Sequence, residues 1–249
     1  MSFTPLSSTE HTDLRMTQGT LFYIQHKPVV PVSIPEAPQA ALDLPLAFAR
    51  TETGLALVAI LSLISDNNSQ IGPKGYWMGG YMPVVVRCHP FALHYSQDQA
   101  QMLVDLESDW LSREQGKPLF TDQGKPSKIL EQFMETLKNF APNPQRDGPV
   151  LQALDKNGLL ESWTEVSANL LRINSQKLGM LDDQAHLELR RQGALPIIYA
   201  HLFSMARIKR IKQLADQKAE ITRQLQQAGA GSNMPNAQID VDNDIIRFD

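Results

Sequence analysis

Cysteine is nearly missing from this chain: Cys88 is the only one in 249 residues. An intrachain disulfide framework is therefore excluded, as is a cysteine-based zinc site. Aromatic residues are scarce at 7%, and charge is close to balanced, with 23 Lys and Arg against 27 Asp and Glu for a net charge of −4. That balance provides no global attraction to nucleic acid. Long hydrophobic runs are absent as well. The most apolar stretch, Leu55–Ile64, reaches about half of the roughly 20 residues that a membrane-crossing helix requires. The start, Met1-Ser2-Phe3-Thr4-Pro5, lacks a basic segment followed by an apolar one, so no cleaved secretory leader is expected. A cytoplasmic location is the resulting expectation, with signal-peptide-independent secretion left open by the C-terminal tail.

Catalytic signatures are missing too. The chain has no glycine-rich phosphate loop of either common spacing, no Gly-x-Ser-x-Gly elbow, no His-Glu-x-x-His pair and no calcium-binding loop. No cofactor and no metal are expected, and an enzyme is disfavoured without being excluded.

What is present reads as an α+β protein, with a β-rich N-terminal half and a helical C-terminal half that ends in a long helix and a flexible acidic tail. The expected layout is one domain over 1–228, β-rich over 10–95 and mainly helical over 96–228, followed by the tail at 229–249. Short runs of aliphatic and aromatic residues predict strands at Thr20–Ile24, Val29–Ile34, Leu46–Ala49, Leu55–Ile64 and Met82–Cys88. Pro35–Leu42 predicts a turn or two of helix. The spacing of Met102, Leu103, Leu106 and Trp110 predicts a helix over Gln97–Leu111. Ser127 is placed to cap a second helix carrying Ile129, Phe133, Leu137 and Phe140 on one face. Pro149 is expected to open a third, short one that Gly158 closes. Val166–Ile173 predicts a returning strand. Asp182 and Gly193 bracket a further helix, and Pro196 opens the long one, running to about Ala228.

Several residues invite a chemical reading. His11-Thr12-Asp13 has the His-x-Asp spacing of iron sites built from two histidines and a carboxylate, with His89, His94 or His201 available as the third ligand. A capping or hydrogen-bonding role near the first strand is the competing reading. Cys88-His89 suggests a nucleophile and base, but on a strand the two would point to opposite faces, which favours a buried thiol. Arg87 follows a valine run and would pair with a buried carboxylate or meet an anion. Tyr76, Trp77 and Tyr81, interspersed with glycines, would line a ligand groove or simply pack a tight turn. His11, Asp13, Arg87 and His89 are thus the catalytic candidates, and Tyr76, Trp77 and Tyr81 the ligand-binding ones. On the long helix, Arg207, Lys209, Arg210 and Lys212 form a basic cluster suited to an acidic protein partner. The tail, with Asp240, Asp242, Asp244 and Asp249, could attract the same cluster. No aromatic follows Phe203 on this helix, which argues against nucleic acid.

An ordered series of segments resembles one family. His11-Thr12-Asp13-Leu14-Arg15, Val29-Val30-Pro31-Val32 and Leu44-Pro45-Leu46-Ala47-Phe48 open the match. Trp77 with Gly80-Tyr81-Met82-Pro83, Arg87-Cys88-His89-Pro90-Phe91 and Pro118-Leu119-Phe120-Thr121-Asp122-Gln123-Gly124-Lys125-Pro126 continue it. Gly158-Leu159-Leu160-Glu161 and Gly193-Ala194-Leu195-Pro196-Ile197-Ile198-Tyr199-Ala200-His201-Leu202 complete it. Over roughly residues 10 to 212 the chain is similar to SapC-family proteins. The resemblance implies a bacterial protein tied by gene neighbourhood to surface layers and type I secretion. It supplies no catalytic residues, and His89 stands where the family pattern has an aromatic. A non-catalytic accessory or adaptor protein with a protein partner is the leading expectation, with possible self-association through the long helix. A scattered-site enzyme, such as a metal-dependent oxygenase-like one, and a small-ligand module in the β-rich half remain the alternatives.

Overall fold

In chain order, the computed structural model, which describes residues 2–52, 54–96 and 99–227, builds eleven strands. They are β1 (Phe3–Pro5), β2 (Arg15–Met16), β3 (Val29–Pro31), β4 (Leu46–Thr51), β5 (Gly54–Ile60), β6 (Phe91–Ser96), β7 (Gln99–Asp105), β8 (Leu111–Ser112), β9 (Lys117–Pro118), β10 (Leu160–Ser162) and β11 (Leu170–Ile173). Eight α-helices accompany them: α1 (Ala37–Ala40), α2 (Val84–Arg87), α3 (Lys128–Phe140), α4 (Pro144–Lys156), α5 (Ser175–Gly179), α6 (Asp183–Arg191), α7 (Leu195–Ser204) and α8 (Ile208–Gln227). Strands dominate the first half and helices the second, ending in the longest helix. Among the described residues no helix is long and apolar enough to cross a membrane.

The central sheet has the order β10-β11-β4-β5-β3, with every pair antiparallel. Two three-stranded sheets, β1-β7-β6 and β8-β2-β9, lie beside it. Both β4 and β5 are apolar along most of their length. Leu46, Ala47 and Phe48 are buried, as are Leu57, Val58, Ala59 and Ile60, because helices cover the sheet: α7 packs on β4 and β11, and α4 packs on β5. A single main core joins the halves, placing Leu46 and Phe48 in one cluster with Leu130, Phe133, Ile197 and Ile198.

Local signals account for several of these elements. α3 buries Leu130, Phe133 and Leu137 on one face, as its 3.6-residue spacing predicts. Ser127 is its N-cap by position, but its side chain makes no capping hydrogen bond. Asp182 caps α6 by accepting from the Ala185 amide, and Gly193 ends it at φ +72°, in the left-handed conformation that glycine adopts without penalty.

Five expectations need correction. Met82–Cys88 is not a strand: Pro83 stands at the N-cap of α2, a single helical turn. Gln97–Leu111 is not a helix, because Gln99–Asp105 pairs with Phe91–Ser96 as a hairpin registered from Phe91↔Val104 to Ser96↔Gln99. Cross-strand pairing there outweighs a helical spacing that rested on four residues. Thr20–Ile24 contains a 3-10 turn, Phe22–Ile24, pinned where the Leu21 amide donates to the Gly75 carbonyl. α4 starts at Pro144 and carries Pro149 inside it, because Asn143 caps the earlier start by accepting from the Gln145 and Arg146 amides. The long terminal helix is broken at Met205–Arg207 by a 3-10 turn. Ser204 Oγ donates to the His201 carbonyl at 2.7 Å and accepts from the Leu46 amide at 2.9 Å, so a side chain competes with the helix ladder at that point. The expected tail at 229–249 lies outside the described residues.

Candidate functional site

The catalytic candidates do not meet around one point. His11 is buried, and its Nδ1 accepts from the Ser7 amide at 3.0 Å, which closes a local turn. Asp13 is exposed and ion-paired with Arg113, whose guanidinium holds the carboxyl below its ordinary range. His94 lies exposed on β6 opposite Gln101. His201 is buried between sheet and helix: Nδ1–H donates to the Leu46 carbonyl at 2.9 Å and Nε2 accepts from the Ile173 amide at 3.1 Å. Both of its ring nitrogens are thus engaged, and neither has a lone pair free for a metal. No group of three or more His, Cys, Asp or Glu among the described residues is placed to hold a metal ion.

Two arrangements do gather polar side chains. The first fixes the segment Tyr76–Tyr81 onto α1. Glu36 precedes α1, only 1% exposed. Its Oε1 accepts from Tyr81 Oη at 3.0 Å and from the Val84 amide at 2.7 Å, so one carboxylate oxygen also satisfies the start of α2. Asp43 Oδ2 accepts from the Gly80 and Tyr81 amides at 2.7 and 2.9 Å. Arg87 at the end of α2 lies over the Tyr81 ring, 5.9 Å from its centroid. Burial pushes the Glu36 carboxyl up to about 7, against the opposing pull of its hydrogen bonds and the Arg87 charge. The Gln70 side-chain amide and Trp77 Nε1 meet at Gly79 and have no hydrogen-bond partner among the described residues. A Cβ on Gly79 would sit 2.2 Å from Gln70 Oε1 and 3.0 Å from Trp77 Nε1, so any larger residue there would displace the Gln70 side chain. Tyr76 instead packs flat on Gly72, where a Cβ would lie 2.6 Å from its ring. Of the three ligand-binding candidates, all half-buried, Tyr81 is held by Glu36 and Asp43, Trp77 lies beside Gly79, and Tyr76 packs on Gly72.

The second arrangement is an open cleft of about 350 Å³. Thr20, Phe22 and Tyr23 form one wall, His89 the floor, and the loop after β7, from Asp105 to Asp109, the other wall. His89 stacks on Tyr23, with centroids 3.7 Å apart and planes 15° apart, and meets Trp110 edge-on at 6.1 Å. Its Nε2 lies 2.7 Å from Ser108 Oγ, which also accepts from the Trp110 amide at 3.1 Å. Tyr23 Oη donates to the Val86 carbonyl at 2.8 Å, which ties the wall to α2. Asp109 Oδ2 receives both the amide and the hydroxyl of Thr20 at 2.9 Å.

A serine and a histidine in contact suggest nucleophilic catalysis, but the environment opposes it. Burial lowers the His89 imidazole to about 4, too weakly basic to take a serine proton well at neutral pH. Stacked on Tyr23 and met edge-on by Trp110, the ring serves as a rigid neutral floor. Its chain neighbour Cys88 is fully buried, and burial pushes the thiol up to about 12. This agrees with the buried-thiol reading, although for a different reason: α2 places Cys88 at a helix C-cap rather than on a strand.

Sequence reasoning missed Glu36 and the acidic run Asp105-Leu106-Glu107-Ser108-Asp109. A signal existed for both. Glu36 is a lone carboxylate between Pro35 and Ala37 in an apolar stretch, and the acidic run follows directly on Leu103-Val104. Of the basic cluster, Arg207 lies in the 3-10 turn and Lys209, Arg210 and Lys212 lie on α8; all four are exposed, and among the described residues none of the four makes an ion pair. Beside them, one turn apart on α7, Tyr199 and Phe203 are 45% and 75% exposed and stack at 6.4 Å.

Against known proteins, the family model described as SapC matches residues 6–211. No curated protein and no solved structure matches the chain.

Proposed function

The chain belongs to the SapC family, and from that premise we propose that it is a non-catalytic accessory protein that docks an acidic segment of a partner protein. The observation that carries this reading is the outer face of α7 and early α8. Large aromatics on a free surface, followed within two turns by arginines, make the composition found at the energetic centres of protein interfaces. Tyr199 and Phe203 supply the apolar anchor, and Arg207, Lys209, Arg210 and Lys212 supply a positive field that selects an acidic partner. The family's tie to surface-layer genes and type I secretion favours a secretion substrate or a component of its machinery as that partner. Self-association through the same face is less favourable, because a two-fold axis would oppose the basic cluster to its own copy.

A photo-crosslinker at Phe203, compared with one at the exposed Met180 on the control surface, tests the proposal. The expected result is one defined adduct from position 203 alone, mapped to an acidic segment and suppressed by about 0.5 M salt or by the double variant Arg207→Ala/Arg210→Ala. Identical adducts from both positions, or an adduct only with a second copy of this chain, would overturn it.

A further inference from the structure

The docking face on α7 and α8 has an order to it, and a segment of this same chain carries the complementary order. Read backwards along the helices, Lys212, Arg210, Lys209 and Arg207 come first, and the exposed rings of Phe203 and Tyr199 follow. No acidic residue stands between Met205 and Ala215 to offset that charge. Residues 240–248, which lie outside the described residues, run the other way. Three carboxylates come first, Asp240, Asp242 and Asp244, and the apolar Ile245, Ile246 and Phe248 follow. Arg247 is the single base there and leaves the stretch net negative. Laid antiparallel to the start of α8, this segment would set carboxylates against the guanidinium and ammonium groups. Its apolar end would then meet the two rings.

The connection is long enough. The described part of α8 ends at Gln227, and the way back along it to Arg210 is about 26 Å. The stretch from Gln227 to Asp240, treated as a coil, spans roughly 20 Å, and at full extension about 45 Å. Such a tether holds the segment at a local concentration in the millimolar range, so a weak attraction suffices to fill the face. The family match ends at residue 211. It therefore takes in Tyr199, Phe203 and most of the basic cluster, while the acidic segment lies beyond it. That division suits a segment that controls the face.

We propose that residues 240–248 are an intrachain occupant of the face formed by Tyr199, Phe203 and the basic cluster, and compete there with the acidic segment of a partner. This deepens the docking reading and rests on it: the tethered segment sets an affinity threshold that a partner must exceed.

The purified full chain, carrying a photo-crosslinking phenylalanine analogue at Phe203 and with no other protein present, tests the assignment. The expected product is an intrachain link to residues 240–248, located by peptide mapping, in a yield independent of protein concentration. About 0.5 M salt should reduce that yield about threefold, and Asp240→Asn/Asp242→Asn/Asp244→Asn should reduce it as much. A second readout adds a synthetic peptide of residues 238–249 in trans. With a Kd of roughly 1 mM on the open face and a tethered concentration of a few millimolar, the triple variant should bind the peptide about fivefold more tightly than the parent chain. No intrachain link beyond the yield from a crosslinker at Met180 would overturn the proposal. Equal peptide binding by the two chains would do the same, as would a link that forms only between copies and rises with concentration. Because no partner is present, these results can go against the tethered segment while a partner still docks at Phe203. With the intrachain link intact, the lack of any partner adduct would instead sink the docking reading.

Discussion

His201 ties α7 to two strands of the central sheet. Its single ring joins the Leu46 carbonyl of β4 to the Ile173 amide of β11, and protonation of Nε2 would set one N–H against another. Burial lowers its imidazole, like that of His89, to about 4. For both rings the folded value lies below the unfolded 6.5, so their contribution is complete above pH 6.5 and is lost as pH falls towards 4. Glu36 runs the other way. Its folded value of about 7 lies above the unfolded 4.5, so its contribution is complete below pH 4.5 and fades as pH rises through 7. Urea-unfolding free energy should therefore rise from pH 4 to about 6.5 and then dip slightly. In Glu36→Gln the dip should vanish, with a difference between the two proteins' pH profiles on the order of 3 kcal/mol. A parallel pair of profiles would refute that assignment. His201→Phe should cost about 3 kcal/mol by leaving two backbone groups unmatched, read by calorimetry as a Tm fall on the order of 10 °C. Little of this was legible beforehand: the sequence flagged His201 as a spare metal ligand, because a lone histidine in an apolar helix looks the same whether it serves a metal or a backbone.

Among the elements, those with a complete local code were readable and those completed by a distant partner were not. α3 and α6 carry their own spacing and end residues, and β4 with β5 forms a hairpin of adjacent apolar runs. α2 is a run of three valines that would suit a strand, but the Glu36 carboxylate, 48 residues earlier in the chain, accepts the Val84 amide and supports its first turn. β7 was obscured because its partner β6 had not been recognised, and with it went the cleft loop that follows. α4 is a mixed case. Its proline at position 149 suggested a late start, while Asn143 and Asp147 set the earlier one: the Asn143 amide donates to Asp147 Oδ2 at 2.9 Å, and the asparagine side chain caps in return. Asn143→Ala should lower stability by about 1 kcal/mol, with an unchanged m-value in urea because the exposed area on unfolding is the same. A loss below a few tenths would mean that Pro144 alone sets the start.

At the scale of the whole molecule, the two halves share one core and one sheet, so we expect a single unfolding transition, with fluorescence of the three tryptophans and far-ultraviolet dichroism superimposing. Two separated transitions would indicate independent units. The broad α+β division was legible because composition changes along the chain. The docking of one half on the other was not, since no local pattern announces that Leu170–Leu171 pairs with Phe48–Ala49. That pairing has a consequence for biosynthesis. Synthesis of β4 ends at Thr51, and the strand that will cover its open edge begins only at Leu170, a delay of roughly ten seconds at ordinary elongation rates. For that interval the nascent polypeptide exposes an apolar edge of the kind that recruits chaperones or sticks to neighbouring chains.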